Sequence, residues 1–211
     1  MNVGVILSGG TGTRFGANVP KQYLKINGKE VLAYAINALK KSKADEIIVV
    51  CHDDYAERIR REYGVKTVPN GDTRNASLKN ALRFIEERGD CEKVIILEAA
   101  RPMVKAEIID FYFEKLDSYD AVITGQRIVD SLGCFYAHSV NRKDYYLIQA
   151  PEAFNFGILN ANFDENSPLT ATNQQMPEGS TLYINFDFTN NYKITYPQDL
   201  AYCEAMMNED E

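Results

Sequence analysis

Four short runs of this sequence carry residue types that could do chemistry on a phosphate. The first is Leu7-Ser8-Gly9-Gly10-Thr11-Gly12-Thr13-Arg14-Phe15-Gly16, followed closely by Pro20-Lys21-Gln22. Gly9, Gly10 and Gly12 let the main chain turn tightly and come close to a ligand. Their N–H groups, with Thr11 and Thr13 between them, can form a nest for phosphate oxygens, and Arg14 and Lys21 add two cations. An ordinary glycine-rich turn would explain the glycines, but not the cations beside them. From Gly10 the spacing is GxGxxxG, one residue longer than the dinucleotide fingerprint, and no acidic residue closes the second predicted strand. No GxxxxGK[ST] occurs. These spacings set the chain apart from nicotinamide oxidoreductases and exclude a P-loop NTPase.

The second run is Gly71-Asp72-Thr73-Arg74-Asn75-Ala76-Ser77, at the start of a predicted helix. A helix N-terminus offers free N–H groups and a positive dipole end. Ser77 can cap that helix or bond a ligand, and Arg74 adds charge. The third is Glu98-Ala99-Ala100-Arg101-Pro102, just after an apolar run. The C-terminal edge of a parallel strand is where open α/β sheets bind ligands. A carboxylate at position 98 can hold Mg²⁺ or a ribose hydroxyl, the alanines leave room, and a Glu98–Arg101 ion pair is the structural alternative. The fourth is Asn191-Tyr192-Lys193-Ile194-Thr195, before a helix that Pro197 opens.

The elements that must position these runs alternate along the chain. Val3–Leu7, Ile47–Val50, Val65–Val68, Val94–Leu97 and Ala121–Thr124 read as buried strands. Between them, helical spacing marks Val31–Leu39, Tyr55–Tyr63, Leu78–Ile85 and Ile108–Leu116, with Gly64 and Gly89 as stops. This alternation predicts a single α/β domain, Rossmann-like, with a mostly parallel sheet. Residues 128–150 break the pattern. They are rich in Tyr, Phe, Val and Ile and predict a protruding β-hairpin arm, too apolar to stand in water alone and therefore a dimerisation element. Phe154–Phe163 predicts a short helix and Tyr183–Phe188 a strand, with a polar loop between them.

Composition bounds the partners. The chain has 211 residues and a formal net charge of −7, with 23 Lys+Arg against 30 Asp+Glu, which argues against nucleic acid or a membrane surface as partner. Any polyanionic ligand would need its positive charge gathered locally. Four cysteines and two histidines show no metal-ligand spacing. Cys51 and Cys91 read as small apolar residues at strand ends. The N-terminal apolar run is too short for a signal peptide, and no run reaches membrane-spanning length, so a cytoplasmic protein is expected.

In this order, the runs resemble the cytidylyltransferases acting on 2-C-methyl-D-erythritol 4-phosphate or ribitol 5-phosphate. The family pattern, GxGxR, PKQ, G-x-x-R-x-x-S, an acidic residue with A-A-R-P, a T-P-Q-F-like segment and N-x-K-I-T, is met by Gly10–Arg14, Pro20–Gln22, Gly71–Ser77, Glu98–Pro102, Ala150–Phe154 and Asn191–Thr195. The match spans nearly the whole chain. It implies a homodimer that moves a cytidylyl group from CTP, with Mg²⁺, onto a small alcohol phosphate and releases pyrophosphate. Ser8, Gly9, Gly10, Thr11, Gly12 and Thr13, with Arg14 and Lys21, would hold the triphosphate. Gly71, Arg74, Ser77, Ala99 and Arg101 would complete the CTP site, and Lys193 would reach the α-phosphate. Catalysis would fall to Arg14, Lys21 and Lys193, and the metal to Glu98. Ser131, Arg142 and Thr170 would hold the acceptor, the first two across the dimer interface.

The chain departs from the pattern on the acceptor side. Glu98 stands for the usual Asp, Glu152 for Gln and Ala150 for Thr, and Thr170-Ala171-Thr172-Asn173 occupies the T-D-[DE] stretch. Gly9-Gly10 and Arg74–Ser77 lean towards the ribitol-phosphate members. A relative acting on another polyol or sugar phosphate for capsule or wall polymers is the first alternative, and a non-catalytic CTP-binding module the second.

Overall fold

The computed structural model describes residues 1–10 and 19–209, the side chain of Glu209 excepted. Thr11, Gly12, Thr13 and Arg14 lie outside the described residues. The chain runs β1 (Asn2–Leu7), β2 (Lys25–Ile26), β3 (Lys29–Glu30), α1 (Val31–Lys40), β4 (Glu46–Cys51), α2 (Asp53–Tyr63), β5 (Lys66–Pro69) and α3 (Arg74–Glu86). It continues with β6 (Lys93–Glu98), α4 (Ala106–Lys115), β7 (Ala121–Arg127), β8 (Tyr146–Asn155), α5 (Phe156–Asn162), β9 (Leu182–Asn185) and α6 (Pro197–Glu209).

Seven strands form one sheet in the order β5-β4-β1-β6-β8-β7-β9. Only β8 runs against the others; it pairs antiparallel with both β6 and β7. The sheet is therefore mostly parallel, as the alternation of apolar runs and helices predicts. Strand side chains alternate between two cores. Ile6, Val49, Ile95 and Leu97 pack with Leu32, Ile36 and Leu39 of α1 and Ile109, Tyr112 and Phe113 of α4. Val3, Val5, Ile48, Val50, Val94 and Ile96 pack on the other face with Leu78, Leu82 and Ile85 of α3. Both faces being covered, the strands are apolar throughout, which is why they read so clearly in the sequence. On α2 only Ile59 is buried, and Gly64 ends that helix at φ 64°.

After β1 the chain crosses to β4 and β5 on one side; after β5 it returns past β1 to β6 on the other. The order thus reverses between β1 and β6, whose registered ends are Leu7 and Glu98. That reversal opens a crevice at the carboxyl ends of the strands, the usual ligand position of such sheets.

The later third of the chain corrects the sequence reading in detail. Regular strand pairing lies mostly outside 128–150: β7 ends at Arg127 and β8 begins at Tyr146, with Arg127 opposite Tyr146. The intervening segment has only a short 3₁₀ turn at Arg142–Asp144. The hairpin exists, but its tip is a long irregular excursion. Phe135 and Tyr136 there are fully exposed. Phe154 belongs to β8 rather than to the helix expected from it, because its register opposite Val94 and Ala121 buries it in the sheet. β9 stops at Asn185, short of the expected Phe188.

Candidate anion-binding site at the sheet switch point

A cavity of about 570 Å³ occupies the crevice. Leu7–Gly10 after β1, Asn70–Arg74 between β5 and α3, and Glu98–Ala100 after β6 line it, with Lys21 and Lys193. Main-chain bonds hold the three loops in place: Ser8 N donates to Val50 O at 2.8 Å, Asn70 N to Cys51 O at 3.0 Å, and Ala99 N to Leu7 O at 3.0 Å. A Cβ on Gly9 would stand 2.5 Å from the Asn70 Cβ, and one on Gly71 would stand 2.9 Å from the Ala76 carbonyl carbon. Both sites need glycine so that loop can touch loop and loop can touch helix.

Gln22 anchors the first loop from below. Its buried amide donates to Ser8 O at 2.7 Å and to Gly10 O at 2.9 Å. Lys21, on the same 3₁₀ turn, donates from Nζ to Ile194 O at 2.5 Å, linking that turn to the Lys193 segment. The Lys193 segment is itself held by Ile194 N donating to Ala100 O at 2.9 Å.

The second loop differs from expectation in one detail. Thr73, not Ser77, caps α3, its hydroxyl accepting from Ala76 N at 3.0 Å. Ser77 instead closes the Gly71 turn, accepting from Gly71 N at 3.0 Å and donating to Gly71 O at 3.3 Å. It still lines the cavity. Thr73 carried a sequence signal, a threonine just before a helical pattern.

Charge is concentrated at Glu98. Lys193 Nζ lies 2.9 Å from both of its oxygens, Arg101 Nε lies 3.1 Å from Oε2, and Arg74 Nε stands 4.0 Å from Oε1. Burial opposes ionisation of Glu98, but the charges of Lys193, Arg101 and Arg74 outweigh it and hold its pKa below the usual glutamate value. Arg101 is buried, lines a smaller neighbouring cavity rather than the large one, and directs its guanidinium to Glu98 and to Asn191 O at 2.7 Å. Burial lowers its pKa, partly offset by Glu98. Its role is to brace the Glu98 loop.

A second cavity of about 200 Å³ adjoins the first and shares Arg74, Glu98 and Lys193 with it. Gln149, Glu152 and Thr170 line its far side. The structure thus brings Ser8, Gly9, Gly10, Lys21, Gly71, Arg74, Ser77, Glu98, Ala99 and Lys193 to one cavity, and Arg101 and Thr170 to its neighbour. Ser131 and Arg142 are not among the lining residues of either cavity within one chain. They stand on the exposed arm, where Arg142 Nη1 donates to Val129 O.

Among the described residues, no group of three or more His, Cys, Asp and Glu side chains could hold a metal ion. Cys51 is buried at the end of β4, and burial pushes its thiol up to about 11, as befits a small apolar residue rather than a redox centre. No helix among the described residues is long and apolar enough to cross a membrane.

Fold and cavity together define an open α/β protein whose switch-point crevice gathers cations for an anionic ligand. Residues 3–209 match the family model for 2-C-methyl-D-erythritol 4-phosphate cytidylyltransferase, and the chain belongs to that family. Among its relatives is the protein of that name from Clostridium botulinum strain 657, 30% identical over 97% of this chain and 96% of the relative. The protein of the same name from Clostridium perfringens ATCC 13124 is 30% identical over 96% of each chain. Among solved structures, the 4-diphosphocytidyl-2C-methyl-D-erythritol synthase of Anaerococcus prevotii shares the fold. Its TM-score is 0.84 at 22% identity, over 99% of this chain and 96% of that one.

Proposed function

We propose that this chain transfers CMP from CTP to 2-C-methyl-D-erythritol 4-phosphate, giving a CDP-alcohol and pyrophosphate. The observation that carries the reading is the paired cavity, whose shared wall is Arg74, Glu98 and Lys193. Two anions must meet in this reaction, and the shared wall supplies cations where they would meet.

The attacking group is a phosphate monoester oxygen, ionised near neutral pH. It forms a new bond to the α-phosphorus as the bond from that phosphorus to the β-bridging oxygen breaks, and pyrophosphate leaves with that electron pair. No proton has to move, so no general base is required. The barrier is electrostatic and orientational, and fixed cations aimed at the α-phosphate oxygens lower it. Lys193 serves the α-phosphate. Lys21 and the loop Ser8–Thr13 with Arg14 serve the triphosphate. Gly71, Arg74, Ser77 and Ala99 receive the ribose and base. Thr170 faces the acceptor, and Ser131 and Arg142 reach it from the partner of a homodimer joined through the 128–150 arm.

Mg²⁺ fits this donor set in one way. Both oxygens of Glu98 face cations; Glu98 would be the side chain that holds the ion beside the phosphates, and the chemistry it would supply is neutralisation of charge on the triphosphate. The reading places the protein in the cytoplasm, with no nucleic acid or membrane partner.

The test is pyrophosphate release from CTP and Mg²⁺ with a panel containing 2-C-methyl-D-erythritol 4-phosphate, ribitol 5-phosphate and other polyol phosphates. Release with the first alone supports the reading, and release with ribitol 5-phosphate alone moves the acceptor to the branch that Gly9-Gly10 favours. CTP binding without release from any acceptor leaves a non-catalytic module.

A further inference from the structure

Glu152 is a charged residue at the centre of the sheet. It lies on β8 opposite Ile96 of β6 and Ile123 of β7, and is 2% exposed. Three donors converge on it. Asn173 N donates to Oε2 at 3.0 Å and Thr172 N to Oε1 at 3.3 Å. Arg74 Nη2 lies 3.6 Å from Oε1, while Arg74 Nη1 donates to Thr172 Oγ1 at 3.1 Å. Burial raises the Glu152 pKa, partly offset by Arg74 and by the N–H groups of Asn173 and Thr172.

We propose that Glu152 is a positioning residue, which fixes the Arg74 guanidinium at the junction of the two cavities and pins the 170–173 segment that forms the far wall of the smaller one. The inference rests on the proposed reading, in which the large cavity takes the nucleotide and the small one the acceptor phosphate.

The chemistry of the side chain supports a carboxylate in particular. Every group facing the side chain donates, so both of its oxygens serve as acceptors. An amide of the same shape would turn an NH₂ group towards one of those donors. The arrangement is a poor device for stability alone, because a buried ion pair is seldom more stabilising than apolar packing of the same volume. What it fixes is geometry. Arg74 also faces Glu98, so its guanidinium is held from two sides, once from β6 and once from β8. A shift of about 1 Å at such a junction can lower a rate by about a hundredfold.

The experiment compares wild type with Glu152→Gln, which keeps volume and one acceptor oxygen. CTP affinity is measured by calorimetry with Mg²⁺, and kcat and KM for 2-C-methyl-D-erythritol 4-phosphate by pyrophosphate release. Because Arg74 also lines the nucleotide cavity, the variant should lose some CTP affinity, but the loss in kcat/KM for the acceptor, about ten- to a hundredfold, should be clearly the larger. Calorimetric titration of the acceptor phosphate into each protein gives a reading that does not depend on turnover. Wild type without turnover would overturn the proposed activity, and a weaker acceptor affinity in the variant would still uphold the positioning role. Equal acceptor binding and equal turnover in the two proteins overturns it. An equal loss of CTP and acceptor affinity also overturns it, because that marks a general collapse of the site. Should Glu152→Gln not fold, Thr172→Val removes the hydroxyl that receives Arg74 and leaves the main-chain N–H in place. It should show the same acceptor-selective loss, smaller in size, and unchanged acceptor parameters there would overturn the proposal.

Discussion

Lys193 Nζ and Glu98 Oε1 lie 2.9 Å apart although 95 residues separate them in the chain. The bond sets a catalytic candidate on the end of β6, at the wall between the two cavities. Removing the ammonium with Lys193→Ala should lower kcat by about 10²–10³-fold if the group stabilises charge in the transition state. The melting temperature should also fall, because the mostly buried Glu98 loses the cation that does most to hold it ionised, so turnover is compared below the melting temperature of the variant. Turnover within about twofold of wild type, measured by pyrophosphate release, would remove Lys193 from the mechanism.

Glu98 and Glu152 should pull the pH dependence of stability in opposite directions. The folded pKa of Glu98 is lowered. Its contribution is therefore fully present above the ordinary value of 4.5 and is lost as pH falls through the folded value. That of Glu152 is raised, so its contribution is fully present below 4.5 and is lost as pH rises through the folded value. Melting curves against pH should show Glu98→Gln losing part of the acid-side fall and Glu152→Gln losing part of the decline above 4.5. Three parallel curves would contradict both assignments.

Gln22→Ala should disturb a site that the side chain itself does not enter with charge. It strips hydrogen bonds from Ser8 O and Gly10 O. Ser8 is buried while Gly10 is exposed to water, and one buried carbonyl left unpaired costs about 1–3 kcal/mol, so urea unfolding should show a loss in that range. CTP affinity should fall with it. A variant as stable as wild type would mean that water replaces the amide without penalty.

The arm predicts a shared site. Phe135 and Tyr136 stand fully exposed and Val129 nearly so, an apolar surface that a second copy would cover. Light scattering at micromolar concentration should give a dimer. Arg142→Ala and Lys193→Ala homodimers should each be nearly inactive, and mixing them after subunit exchange should restore activity in the hybrids. Continued inactivity in hybrids shown to have formed would place each site within one chain.

How much of this was legible in the sequence depends on where each residue finds its partners. Val3–Leu7 and Val94–Leu97 were plain because both faces of those strands are buried, and the whole run is apolar for that reason. The Gly71–Ser77 run was plain because its bonds are local, within the turn and the first turn of α3. Arg101 was half legible: its partner Glu98 lies three residues away, but the Asn191 carbonyl at its other end comes from 90 residues downstream. Glu152 gave only a mismatch with the family pattern, Glu where Gln is usual. The N–H groups that justify it lie 20 and 21 residues further on, in a polar loop with no regular pattern. The arm was read as hairpin from its aromatic content, but its tip takes no regular pairing, and composition alone does not fix where strand pairing stops.

The reversed strand β8 has a mechanical consequence. It leaves the arm at Tyr146 and reaches Glu152 six residues later, across an irregularity where its register against β7 shifts between Thr124 and Ile123. A displacement at the arm's base is therefore carried along the same backbone to the wall of the smaller cavity. In the proposed dimer, substitutions near Tyr146 should therefore also change which phosphate is accepted, read as a shift of preference across the acceptor panel.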